Sequence, residues 1–114
     1  MPETAHQIKL FRTFDGKRPF VEWFDSIRDR RAKQKIQVRL DRLSLGNFGD
    51  HHRVGEGVTE LRIDYGPGYR IYFGFDGNSL VVLLIRGDKS SQHDDIKAAK
   101  KYWREYKEEQ KHAS

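Results

Sequence analysis

The chain has no cysteine, so disulfides, zinc–thiolate sites and a cysteine nucleophile are excluded. It has no apolar run near the roughly 18 residues that span a membrane. Its first ten residues, MPETAHQIKL, lack the apolar stretch of a signal peptide. There is no linker, repeat or low-complexity tract, and no GxGxxG or other glycine-rich phosphate loop. No Ser/His/Asp triad can be picked out by spacing. The five histidines give no metal-ligand spacing. His51 and His52 are adjacent, so in an extended segment they point opposite ways. These absences lead to the expectation of a cytoplasmic protein without metal or cofactor.

What is present is charge and aromatic mass. In 114 residues, 34% are charged and mean hydropathy is −0.87, yet 12% are Phe, Tyr or Trp. That is enough aromatic area for one core, hence one domain spanning 1–114. The net charge of +5 is local. Residues 1–45 carry 11 basic and 6 acidic side chains, whereas 46–92 carry 5 and 6. A surplus confined to one stretch points to a polyanion or an acidic protein partner there, or to a merely solvated face.

Residues 6–14 alternate weakly and read as a strand. Pro19 suits the first turn of a helix, and Phe20, Trp23, Phe24 and Ile27 continue it at helical spacing over 19–29. A second helix runs over 29–45, with an apolar stripe of Ala32, Ile36, Leu40 and Leu43, stopped by Gly46-Asn47. Beside that stripe lies a basic one: Arg28, Arg31, Lys35, Arg39 and Arg42. It could follow RNA or DNA phosphates, or be the polar side of an amphipathic helix. Residues 46–57 read as loop. Three strands follow at 58–65, 69–75 and 80–85, the last fully aliphatic as in a strand buried on both faces. A helix over 94–111 closes the chain. The fold class is α+β, in the order β-α-α-β-β-β-α, with a helical hairpin on a mostly antiparallel sheet.

A simple hairpin at Gly66-Pro67-Gly68 sets Asp64 opposite Arg70 and Arg62 opposite Tyr72. One sheet face then carries Glu60, Arg62, Asp64, Arg70 and Tyr72. Guanidiniums bind phosphate bidentately, carboxylates take protons, and a phenol can stack on a base. The plain alternative is a salt-bridged, solvated sheet face. Phe48 is a second stacking candidate. After the aliphatic strand, the turn holding Lys89 precedes His93 near a helix start.

The segments GNFGD (46–50), GVTELRIDYGPGYRIYF (57–73) and GDKSSQ with DI (87–96) resemble HigB-type and related phage-encoded addiction-module toxins of the RelE/ParE superfamily. The resemblance covers nearly the whole chain and implies that superfamily's fold. It implies a type II toxin: a metal-independent mRNA endoribonuclease (an mRNA interferase) acting on the ribosome and arresting growth by blocking translation. The superfamily also holds ParE-like DNA gyrase inhibitors without nuclease activity, and an inactive module that only binds its antitoxin is a third reading. By the same resemblance, Arg70 matches the phosphate-stabilising arginine. Glu60, or else Asp64, falls at the base, with Arg62 and Lys89 as charge-stabilising groups. The basic helix face would grip ribosomal RNA. The implied partners are an antitoxin of helix-turn-helix type, the ribosome and mRNA, with DNA reached only through the antitoxin and no membrane. Two positions depart from the pattern. No late catalytic Tyr or His is aligned, leaving His93 or Tyr72 to substitute, and Arg86 stands where a small residue is expected.

Overall fold

The computed structural model describes residues 6–87 and 91–113. The elements are β1 (Gln7–Leu10), α1 (Pro19–Ser26), α2 (Arg30–Ser44), β2 (His51–Gly55), β3 (Val58–Ile63), β4 (Tyr69–Asp76), β5 (Ser79–Arg86) and α3 (Gln92–Ala113). The five strands form one mixed sheet in the order β1-β5-β4-β3-β2. Only β1 with β5 is parallel; the other pairs are antiparallel. The α+β class and the closing helix match the sequence expectation. Among the described residues no helix is long and apolar enough to cross a membrane.

Local chemistry explains the ends of α2. Asp29 caps its start, accepting from the backbone N–H of Arg31 and Ala32. At its end Gly46 takes φ +85°, and the backbone N–H groups of Gly46 and Asn47 return to the carbonyls of Leu43 and Arg42. This closure requires the left-handed conformation glycine adopts freely. The apolar stripe of α2 then joins Phe20 of α1 against Leu61, Ile63, Ile71, Phe73, Leu80, Val82 and Ile85.

The opposite face of the sheet is covered by α3. Ala99, Trp103 and Tyr106 pack there with Phe11, Val58, Tyr72, Val81, Leu83 and Leu84. So β5 is buried on both faces, as its composition predicts. A bulge modifies the alternation. Tyr72 pairs with Leu84 but Phe73 pairs with Val82, so Leu83 is the extra residue. Leu83 and Leu84 consequently both face α3 although adjacent in sequence.

Two expectations fail. Residues 46–57 are not all loop, because 51–55 form the edge strand β2 against β3. The HHRVG run carries no apolar alternation to reveal it, since the strand is an exposed edge held by backbone pairing. The hairpin register is also shifted. The turn closes where the Gly68 N–H reaches the Tyr65 carbonyl, which takes Asp64 out of the ladder. Arg62 therefore faces Arg70, and Glu60 faces Tyr72.

Trp103 sets a tight fit between α3 and β4. A methyl group at Gly74 would lie 2.7 Å from Cε3 and 2.8 Å from Cδ2 of its indole. The ring also stacks on Tyr106 at a centroid distance of 5.4 Å. Gly74→Ala should therefore cost about 1–3 kcal/mol through overpacking. Thermal denaturation would show a midpoint lowered by several degrees; an unchanged midpoint would mean that Trp103 is not seated on β4.

Candidate functional site: an arginine cleft anchored on a buried carboxylate

The corrected register places Glu60 and Arg62 of β3 beside Tyr72 and Arg70 of β4 on the face that α3 covers. This face is not the solvated one the alternation suggests. Glu60 is 1% exposed, Arg70 3% and Tyr72 0%. The first turn of α3 overlies them and contributes Gln92. Glu60 accepts from Arg62 Nε at 2.9 Å on one oxygen, and from Tyr72 Oη at 3.0 Å and Gln92 Nε2 at 2.9 Å on the other. Arg70 Nε in turn donates to Tyr72 Oη at 3.3 Å.

The electrostatics follow from these contacts. Burial pushes the Glu60 carboxyl up, but hydrogen bonds from Arg62, Gln92 and Tyr72, with the charge of Arg62, outweigh it. Its pKa falls below the ordinary carboxylate value. Burial drives the Tyr72 phenol well above its ordinary value, and the neighbouring Glu60 charge adds to this. So Glu60 stays ionised and Tyr72 stays protonated at neutral pH. A carboxylate with a lowered pKa and both oxygens engaged is a poor proton acceptor. It is well suited to fixing the Arg62 guanidinium in place.

Arg62 and Arg70 open into a cleft of about 450 Å³, whose other walls include Asp50, Asp64, Tyr69 and Gln92. Asp64 is exposed at this cleft, away from the Glu60 network. Next to it is a groove of about 760 Å³, lined by Arg31, Lys35, Arg39 and Arg42 of α2, which shares Ile63 and Asp64 with the cleft. Of the basic stripe, Arg28 lies outside this groove lining, in the turn between α1 and α2. Arg39 serves as a tie: it donates to the carbonyls of Arg62 at 2.7 Å and Phe48 at 3.1 Å. Tyr65 donates to Asp29 at 2.9 Å, fastening the β3–β4 turn to the start of α2.

Phe48 sits on the other face of the sheet, its ring against Phe73, Phe75, His6 and His51. It packs with the α2-side core rather than with Tyr72. His93 is exposed on the first turn of α3. Its neighbour Gln92 is the residue that reaches Glu60. Lys89 lies outside the described residues. The sequence reading missed Gln92 and Asp50, whose positions depend on how α3 and the 46–50 turn pack. Among the described residues there is no cluster of three or more His, Asp or Glu placed to hold a metal ion.

No protein-family model matches the chain. A protein of Haemophilus influenzae (strain ATCC 51907 / DSM 11121 / KW20 / Rd), itself uncharacterized, is 49% identical over 94 residues. That alignment takes in 82% of this chain and 89% of the relative. The chain belongs to the family of this protein. The fraction of the relative covered means that the two are similar over most of their length.

Ionised Glu60 has a pH signature. Its folded pKa lies below its unfolded value near 4.5. The stability it adds is thus fully present above that value and drains away as pH falls through the folded one. Tyr72→Phe removes one of three donors, so the Glu60 pKa rises and acid destabilisation starts at higher pH. Urea midpoints measured between about pH 3 and 6 should show the variant and wild-type curves converging toward acid. A constant offset at every pH would show that the phenol does not support the ionised carboxylate.

Proposed function

We propose that the chain is a HigB-type toxin of the RelE/ParE superfamily: a ribosome-dependent mRNA endoribonuclease of a type II toxin–antitoxin module, acting in the cytoplasm. The observation that carries this reading is the convergence of Arg62 and Arg70 on one cleft, beside an exposed carboxylate and contiguous with the basic groove of α2. Clustered guanidiniums with a flanking basic track suit a phosphodiester chain. The ELRIDYGPGYR block adds the resemblance to the superfamily.

In this reading a ribose 2′-oxygen attacks the adjacent phosphorus. A 2′,3′-cyclic phosphate forms, the bond to the 5′-oxygen breaks, and that oxygen takes a proton from solvent as it leaves. Arg62 and Arg70 stabilise the charge that builds on the phosphoryl oxygens. Asp64 takes the 2′-hydroxyl proton, because it is exposed at the cleft whereas Glu60 is buried and committed to three donors. Glu60, Tyr72 and Gln92 orient the guanidiniums. The groove of Arg31, Lys35 and Arg42 contacts ribosomal RNA, and an acidic antitoxin segment covers the same positive surface in the inhibited complex.

Arg62 is the better residue for a test than Arg70, since its side chain is 49% exposed while Arg70 is buried. Loss of Arg70 would disturb the fold and the chemistry together. Arg62→Lys keeps the charge near Glu60 but loses the planar fork. Cleavage of ribosome-bound mRNA, read by primer extension, should drop about 10²–10³-fold while the melting midpoint shifts little. Full cleavage by the folded variant would remove Arg62 from the reaction. Inhibition of gyrase supercoiling by a wild type that cleaves nothing would replace the nuclease reading with the ParE-like one.

A further inference from the structure

Arg62, Arg70 and Arg86 stand in one lateral row. Arg62 pairs with Arg70 across β3 and β4, and Arg70 pairs with Arg86 across β4 and β5. Direct partners share a sheet face, and neighbouring strands lie about 4.8 Å apart, so the three positions span about 10 Å. Like charges set directly opposite one another destabilise a sheet. Here carboxylates flank the row: Glu60 holds Arg62, and Asp95 of α3 holds Arg86 Nε at 3.2 Å. Asp95 is itself buried and accepts from Ser91 Oγ at 2.7 Å, so Arg86 is fixed from the helix side.

The row also joins two openings. Arg62 and Arg70 line the first cleft, while Arg86 lines a second, of about 390 Å³, with Lys17, Trp23 and Tyr102. Trp23 of α1 and Tyr102 of α3, both half-buried, line this second cleft. Glu22 and Ser26 also line it: the Glu22 carboxylate repels phosphate and can accept only from a base or ribose donor, so the phosphate belongs on the Lys17 and Arg86 side. A cation pair beside two aromatic walls is the combination that takes a phosphate with its stacked base.

We propose that Lys17, Trp23, Arg86 and Tyr102 form a second nucleotide subsite, so that single-stranded RNA runs from the cleft of Arg62 and Arg70 to the opening beside Arg86. This rests on the RNA reading of the first cleft. The RNA then has one nucleotide at Arg62 and Arg70 and a neighbouring one in the second cleft.

The test uses a fluorescein-labelled RNA hexanucleotide, 2′-O-methylated so that it cannot be cleaved, with binding followed by anisotropy over a series of salt concentrations. Lys17→Ala and Arg86→Gln should each weaken binding about tenfold. Each should also flatten the slope of log Kd against log salt by about 0.7, the amount expected for one lost phosphate contact on a single strand. Lys9→Ala, at an exposed lysine of β1 that lines neither cleft, should change neither quantity. Lys17 is exposed, so Lys17→Ala decides the matter even if Arg86→Gln fails to fold. Wild-type binding with Lys17→Ala equal to wild type would overturn the second subsite and leave the RNA reading standing. A wild type that binds no RNA at low salt would overturn the subsite, while the RNA reading stands or falls on the cleavage of ribosome-bound mRNA.

Discussion

The buried carboxylate of Glu60 is the constraint on which the rest of the site depends. An ionised carboxylate taken out of water costs several kcal/mol unless donors replace its hydration. Arg62, Tyr72 and Gln92 do so from β3, β4 and α3, three separate elements. The requirement therefore fixes the register of the β3–β4 hairpin, the seat of α3 on the sheet, and the direction of the Arg62 guanidinium. Tyr72 then passes the constraint on to Arg70. Buried ion pairs are poor sources of net stability compared with apolar packing of the same volume. Their worth here lies in geometry: two guanidiniums held beside one cleft before any ligand arrives.

The two faces of the sheet divide the labour. The α2 side is an ordinary apolar core, tied at its rim by Arg39 to the carbonyls of Arg62 and Phe48. The α3 side is apolar along most of its length but polar at the end where α3 begins. There the first turn of the helix sends Gln92 to Glu60 and Asp95 to Arg86. Removing α3 from the sheet would strip one donor from the buried Glu60 and the carboxylate partner from the half-buried Arg86, so the polar end and the helix are coupled.

Much of this architecture was legible in the sequence. The stripe Ala32, Ile36, Leu40 and Leu43, with Asp29 before it and Gly46 after it, carries a helix and both of its ends. Parity along 58–63 and 69–75 separates Leu61, Ile71 and Phe73 from Glu60, Arg70 and Tyr72, and the structure keeps that separation. What parity could not give was depth. The same alternation describes a solvated face and one roofed by a helix, and only the packing of α3 tells them apart. The register lay beyond it too, because the Tyr65–Gly68 turn moves Asp64 out of the ladder. The edge strand β2 is held by backbone pairing and leaves no apolar trace. The bulge at Leu83 hides in an unbroken aliphatic run, where no alternation exists to be interrupted. Gln92 was invisible because its role is set by distance in the fold and not by neighbours in the chain.

The proposed function turns on whether the arginine cleft acts on RNA chains. The most direct measurement is a map of transcript 5′ ends, taken within minutes of expressing the wild-type chain in growing cells, with plasmid supercoiling read from the same cultures. The account predicts new 5′ ends inside translated reading frames and unchanged plasmid topology. Intact transcripts in arrested cells whose plasmids lose negative supercoiling would contradict it.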